Sequence, residues 1–218
     1  MHKLASLSYK IENIVLDKGF IIKLLCYNDS TDDDFDLTIL TSDEKITFNE
    51  FKSIKRKLEY YFTRVLWNDF EINQKISYNE FGRPFIENGH ISISHSRDII
   101  VIAIDKNHPV GIDVEYKSPK ISAIKDKFIS SEDQKLIDFE DETQLTIVWS
   151  IKEAVYKMEN IPALSFKENI HVKIKNNLSY VNVNKNELIH EYTFQYILRP
   201  NYVLTFCSHG NLNKKTEY

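Results

Sequence analysis

The chain has 218 residues, 42 % of them hydrophobic, and a formal net charge of −4 from 28 basic and 32 acidic side chains. That is enough apolar material for one large domain or two half-size lobes with a real core, without the basic excess usual in nucleic-acid binders. Cys26 and Cys207 stand far apart and suit neither a disulfide framework nor a thiolate metal site, and the apolar runs are too short to cross a bilayer, so a soluble cytoplasmic protein without a nucleic-acid or membrane partner is expected.

Residues 9–27 read as two short strands around the turn signal Asp17-Lys18-Gly19, and residues 35–41 as a third. The acidic run from Asn28 to Asp36 lacks both the glycine and the closing glutamate of a calcium loop and reads as solvated chain. Phe48, Phe51, Ile54, Leu58, Tyr61 and Val65 recur at three- and four-residue spacing, which predicts one helix over 43–68 capped by Ser42. Its other side carries Lys52, Lys55, Arg56, Lys57 and Arg64, either a solvated face or an anion site.

Gly82 and Pro84 mark a turn that puts Arg83 on a loop. Ile91-Ser-Ile-Ser94-His95-Ser96 alternates as a half-buried strand does, and Ile99 to Ile104 is a continuous apolar strand. In the strand Gly111-Ile-Asp113-Val-Glu115, alternation sends Ile112 and Val114 to the core and the two carboxylates to the other face, where they repel unless a cation or protons intervene. Phe128 to Asp133 predicts a helix start capped by Ser130 or Ser131. Val148, Ile151, Val155 and Met158 then form the apolar stripe of a helix ended by Ile161-Pro162. Trp149, Glu153 and Lys157 share a neighbouring side of it. Four strands follow, at 170–174, 178–183, 191–198 and 202–207.

Gly111-Ile-Asp113-Val-Glu115 followed by Trp149-Ser-Ile-Lys152-Glu153-Ala-Val-Tyr-Lys157 resembles the paired signature of 4'-phosphopantetheinyl transferases. Glu80-Phe-Gly-Arg83-Pro84, Ile93-Ser94-His95-Ser96 and Phe128-Ile-Ser-Ser-Glu132 are similar to further motifs of the longer, surfactin-synthetase-activating type. The resemblance is strong from about residue 80 to 160 and faint before residue 50. Arg83 stands where many members have lysine, and Ser92 where many have asparagine.

The resemblance implies an α+β fold of two similar lobes related by a pseudo-twofold, each a small antiparallel sheet packed with a long helix: residues 1–107 on the adenine and 3'-phosphate side of coenzyme A, residues 108–218 on the metal and catalytic side. It implies transfer of 4'-phosphopantetheine from coenzyme A to a serine of an apo acyl or peptidyl carrier protein, releasing 3',5'-adenosine diphosphate, by a cytoplasmic monomer. Asp113, Glu115 and Glu153 would hold Mg²⁺, whose preference for hard oxygen ligands suits them. Lys157 would stabilise the leaving phosphate, and Glu132 or a metal-bound water would take the serine proton. Lys55, Arg56, Arg64, Ser94 and His95 are the implied candidates for the 3'-phosphate and its adenosine, with Arg83 and Pro84 lining the nucleotide and Lys152 approaching the phosphates.

Two rival readings stand beside this one. Asp105, Glu115 and Lys117 fit the loose acidic pattern of metal-dependent nucleases, and a non-catalytic coenzyme A or carrier-protein binding module would carry the same motifs. The first leaves Trp149 to Lys157 unexplained; the second does not need all three carboxylates.

Overall fold

Apolar alternation on either side of Asp17 folds into a hairpin in which β1 (Tyr9–Asp17) pairs antiparallel with β2 (Phe20–Tyr27). The computed structural model describes residues 7–17, 20–28, 35–131, 133, 138, 140–159, 161, 163–175, 178–185 and 188–208. Most of the acidic run 28–36 therefore lies outside the described residues.

The expected strand at 35–41 is instead a 3-10 turn over Leu37–Ile39, because Asp36 caps it by accepting from the Thr38 N–H at 3.0 Å. The single helix expected over 43–68 is two: α1 (Ser42–Glu50) and α2 (Ile54–Asn68), with Phe51 and Ser53 extended between them. The apolar spacing runs through the break because Phe51 packs back on Tyr60, with ring centres 5.3 Å apart. Thr41, not Ser42, is the cap of α1, in a reciprocal box with Glu44.

β3 (Ser77–Tyr78) and β4 (Pro84–Phe85) form a small ladder around the Arg83 turn. Then come β5 (His90–Ser96), β6 (Ile99–Asp105), β7 (Val110–Tyr116), the short α3 (Lys120–Ile124) and α4 (Glu142–Glu159). The last strands are β8 (Ile170–Lys175), β9 (Leu178–Lys185), β10 (Leu188–Leu198) and β11 (Tyr202–Ser208). One antiparallel sheet has the order β1-β2-β6-β5 and a second the order β7-β11-β10-β9-β8. The fold class is α+β, as expected.

Three apolar clusters fix these layers. α2 covers the first sheet through Phe62 and Leu66 against Ile100 and Ile102. α4 covers the second through Val148, Ile151 and Val155, the expected stripe, against Val172, Phe194 and Val203. Ile22 and Val101 meet Ile112, Val114 and Leu204 where the two sheets face one another. Among the described residues no helix is long and apolar enough to cross a membrane.

The edge strands of the two sheets, β5 and β7, lie side by side, and serines join them. Pairing with β11 leaves the N–H groups of Ile112, Val114 and Tyr116 facing away from that strand. They donate to Ser92 Oγ (3.1 Å), Ser94 Oγ (3.3 Å) and Ser96 Oγ (3.3 Å). The alternation of β5 thus puts a hydroxyl at every second residue against an edge that would otherwise bury unpaired donors.

α4 crosses β7 at close range over Gly111. A Cβ there would stand 2.2 Å from the Ala154 carbonyl oxygen, so only glycine lets helix and strand approach this closely. Gly111→Ala is expected to destabilise the fold by about 1–3 kcal/mol, as an overpacked core does, and to push Glu153 and Lys157 out of place. Denaturant unfolding and turnover check it; unchanged activity at wild-type stability would show that the helix has slack.

Candidate active site

At the β5–β7 seam, under α4, four charged groups converge. Asp113 is 2 % exposed; its Oδ1 accepts from Lys157 Nζ (2.6 Å) and Ser94 Oγ (2.8 Å), and its Oδ2 is buried with no hydrogen-bond partner. Glu115 accepts from Trp149 Nε1 (3.2 Å) and Ser96 Oγ (3.3 Å). Trp149 is itself fixed edge-on to Phe128, 5.2 Å between ring centres, so helix α4 holds Glu115 with a rigid arm. Glu153 lies on the same side of α4, half-buried.

The electrostatics of this group are out of balance. Burial raises the Glu153 carboxyl to about 7, helped by Asp113 and Glu115 and opposed by Lys157. Burial and Asp113 also raise Glu115. Lys157 bonds Asp113, Ser94 and the Ile112 carbonyl, and forms no ion pair with Glu153 one turn away. Three carboxylates against one ammonium, with an unsatisfied buried carboxylate oxygen, form a donor set that suits a hard divalent cation. Among the described residues no three His, Cys, Asp or Glu groups are already drawn together as metal ligands.

Beside the carboxylates runs a groove between α2 and α4. One hollow of about 740 Å³ is lined by Arg83, Pro84, Ile93, Tyr156 and Lys157 among others. A second, about 210 Å³, includes Arg56, Glu59, Arg64, Tyr78 and His95, and shares Gly82, Pro84 and Ile93 with the first. Arg83 bridges the groove, its guanidinium donating to the carbonyls of Tyr156 (3.2 Å) and Lys157 (3.4 Å). The turn that aims it is built on Asn79, whose Oδ1 accepts from the Phe81 and Arg83 N–H groups, and on Gly82 at φ +74°.

The basic residues of α2 divide. Arg64 is 5 % exposed and lines the smaller hollow; its Nε donates to Glu44 (2.9 Å) and its Nη1 to Tyr78 (3.2 Å), and it lies over the Tyr60 ring, which leaves further guanidinium donors available. Lys55 and Arg56 keep side-chain exposures of 69 % and 58 %, and Arg56 lines the smaller hollow. Both pair with the buried Glu59, as does His95 Nδ1 at 3.4 Å. Burial depresses the His95 imidazole, with Glu59 pulling against it. Glu59 was missed in the sequence, although its spacing from Lys55 and Arg56, four and three residues on, is the signal of a helical ion pair.

Lys152 does not reach the groove. It lies on the inward face of α4 and is 0 % exposed, with Nζ bonded to Asp133 Oδ2 (2.6 Å) and to the carbonyls of Phe128 (2.6 Å) and Phe166 (2.9 Å). Asp133 also accepts from the N–H groups of Ser130 and Val172. Ser130 Oγ accepts from the Asp133 N–H, but Glu132 and residues 134–137, on which the expected helix falls, lie outside the described residues.

Comparison with known proteins bears on this site. A family description, the 4'-phosphopantetheinyl transferase superfamily, matches residues 109–207, the span from the start of β7 to β11. Residues 109–207 are thus similar to that superfamily. Among curated proteins, 4'-phosphopantetheinyl transferase ffp of Bacillus subtilis is 30 % identical over 121 residues, 49 % of this chain and 54 % of that protein. The Bacillus subtilis (strain 168) transferase Sfp is 31 % identical over 108 residues, 44 % of this chain and 48 % of its own. The Aneurinibacillus migulanus transferase gsp is 36 % identical over 84 residues, 36 % of this chain and 35 % of its own. The matches thus span about half or less of these transferases. The superfamily segment contains Asp113, Glu115, Glu153 and Lys157 and omits β5 and α2, which supply the other wall of the groove.

Proposed function

We propose that the protein transfers 4'-phosphopantetheine from coenzyme A to a serine of an apo carrier protein. The observation that carries this reading is the convergence of Asp113, Glu115 and Glu153 on Lys157, which lines the larger hollow, with Asp113 Oδ2 buried and unpartnered. Asp113, Glu115 and Glu153 would hold Mg²⁺. When bound, the ion would neutralise charge on the coenzyme A pyrophosphate and on the carboxylates that otherwise repel one another.

The chain's own groups do the rest by positioning and charge, which phosphoryl transfer chiefly needs. Lys157, at the groove floor, is placed to donate to a pyrophosphate oxygen as the bond to the leaving 3',5'-adenosine diphosphate breaks. The carrier serine oxygen forms the new bond to the β-phosphorus, and its proton goes to a base for which Glu132 is the candidate. Arg56, Arg64 and His95 line the smaller hollow and, with Lys55 beside Arg56 on α2, are proposed to take the 3'-phosphate, with Arg83 and Pro84 along the nucleotide. Lys152 is left out of this set because its three donors are committed elsewhere.

The lobe division is proposed with it: every strand of the first sheet ends by Asp105 and every strand of the second begins after Pro109, which supports lobes of 1–107 and 108–218. A pseudo-twofold between them would place α2 and α4 as counterparts across the groove. Because one chain supplies both walls, a monomer working in the cytoplasm is the setting this reading implies.

The nuclease reading loses its support. Asp105 accepts from the N–H groups of Asn107 (2.9 Å) and His108 (3.1 Å) and from the Ser208 hydroxyl, and Lys117 Nζ donates to the Pro200 carbonyl at 3.0 Å. Asp105 closes the turn at the start of β7 while Glu115 lies near its far end, roughly 16 Å along the strand.

Incubation with coenzyme A, Mg²⁺ and an apo carrier protein is expected to add one phosphopantetheine mass to the carrier, read by intact-protein mass spectrometry, and a chelator is expected to stop it. No increment across fatty-acid, polyketide and peptide carriers, with the protein folded, would refute the reading.

A further inference from the structure

The three serines of β5 do the same backbone work but differ in what lies behind them. Ser92 accepts the Ile112 N–H, while Ser94 and Ser96 also donate onward, to Asp113 Oδ1 and Glu115 Oε2. A serine hydroxyl has one proton to give and two lone pairs to accept with. At Ser94 all three are used: the proton goes to Asp113 (2.8 Å), and the lone pairs accept from the Val114 N–H (3.3 Å) and Lys157 Nζ (2.9 Å). The residue is 5 % exposed. No proton remains for a phosphate oxygen, and a hydroxyl whose proton is committed to a carboxylate has nothing to offer an anion.

We infer that Ser94 is a positioning residue for the carboxylate centre and not a ligand of the coenzyme A 3'-phosphate. It clamps Asp113 Oδ1 between a hydroxyl and the Lys157 ammonium, which leaves Oδ2 as the oxygen available to a divalent cation. Ser96 and Trp149 hold Glu115 in the same manner. Groups that orient metal ligands in this way set the affinity of a site without touching the ion. The inference rests on the transferase reading only for the presence of the cation.

The test separates the two roles of Ser94 without measuring turnover. Mn²⁺ is titrated into the full chain in the absence of coenzyme A and followed by electron paramagnetic resonance. Ser94→Ala is expected to weaken Mn²⁺ binding about tenfold. Ser92→Ala, which loses the same kind of ladder bond without releasing a carboxylate, is expected to change it less than about twofold. Ser94→Cys, which keeps the volume with only a weak donor, should shift binding in the same direction if the alanine variant is too unstable.

In parallel, metal-free binding of coenzyme A and of 3'-dephospho-coenzyme A is compared. The ratio of the two affinities in Ser94→Ala is expected to equal the wild-type ratio. Unchanged Mn²⁺ affinity in Ser94→Ala, or collapse of that ratio, would overturn the inference while leaving carrier modification by the wild type untouched. A wild type that binds no Mn²⁺ would overturn it as well, whereas failure to modify any carrier with the Mn²⁺ results as expected would sink only the transferase reading.

Discussion

Glu153→Gln lowers phosphopantetheine transfer by on the order of 10³-fold and, in the same protein, raises the stability of the metal-free fold at pH 8. The first effect follows from removing one of three charged oxygen donors around the proposed cation. The second comes from the sign of the Glu153 shift. Its carboxyl titrates at about 7 in the folded chain and near 4.5 when exposed, so between those values the folded state binds more protons than the unfolded. Stability contributed by the protonated group is present below pH 4.5 and is lost as pH rises through 7.

Glutamine cannot ionise and escapes that loss, worth about 1–2 kcal/mol after allowance for solvent screening of a half-buried group. Thermal unfolding at pH 5 and pH 8, with chelator and with Mg²⁺, checks this. Wild type should lose stability between the two pH values in chelator and regain it with Mg²⁺, and the variant should do both to a smaller extent because Glu115 remains. A variant less stable than wild type at pH 8 in chelator would show that the carboxylate is not under repulsion.

The second large effect is expected at Lys152, on the hidden side of the same helix. Lys152→Ala leaves Asp133 charged and 0 % exposed, and breaking a buried pair by removing one partner costs about 3–5 kcal/mol. Burial depresses the lysine's own affinity for its proton and Asp133 opposes that, so the two charges sustain one another. Lys152→Met with Asp133→Asn should recover part of the loss, giving a coupling energy well above that of a surface pair. The ratio of affinities for coenzyme A and its 3'-dephospho form should not move. Wild-type stability with weakened nucleotide binding in Lys152→Ala would return the lysine to the groove.

These two residues, adjacent in sequence on α4, show where sequence reading stops. Glu153 and Lys152 lie about 100° apart around the helix, so one is half-buried beside Asp113 and Glu115 and the other faces the core. Their charges are equally conspicuous in the chain, and only the packing of Phe128, Phe166 and Asp133 against the inner face makes the lysine a structural ion pair. Arg64 is similar: among the basic residues of α2 it is the one that rotates into Tyr60 and Glu44, a contact 20 residues distant that no local pattern reveals.

Local rules were sufficient where a segment's own periodicity fixes which side is buried. The alternation of β7 placed Ile112 and Val114 inward and Asp113 and Glu115 together, and the 3.6-residue rhythm of α4 set its apolar stripe. They misplaced the α1–α2 boundary, because Phe51 keeps helical spacing while its backbone is extended.

By itself the sequence determined the α+β class, the pairing of Asp113 with Glu115 on one face of β7 and the motifs that resemble the transferase family, since each is written in spacing along one strand or helix. Only the tertiary structure decided which charges are free to meet a ligand. Whether a lysine, an arginine or a serine can bind depends on whether its donors are already spent, and the partners that spend them come from other elements. At Ser94 the neighbours that use up its hydroxyl lie 19, 20 and 63 residues away.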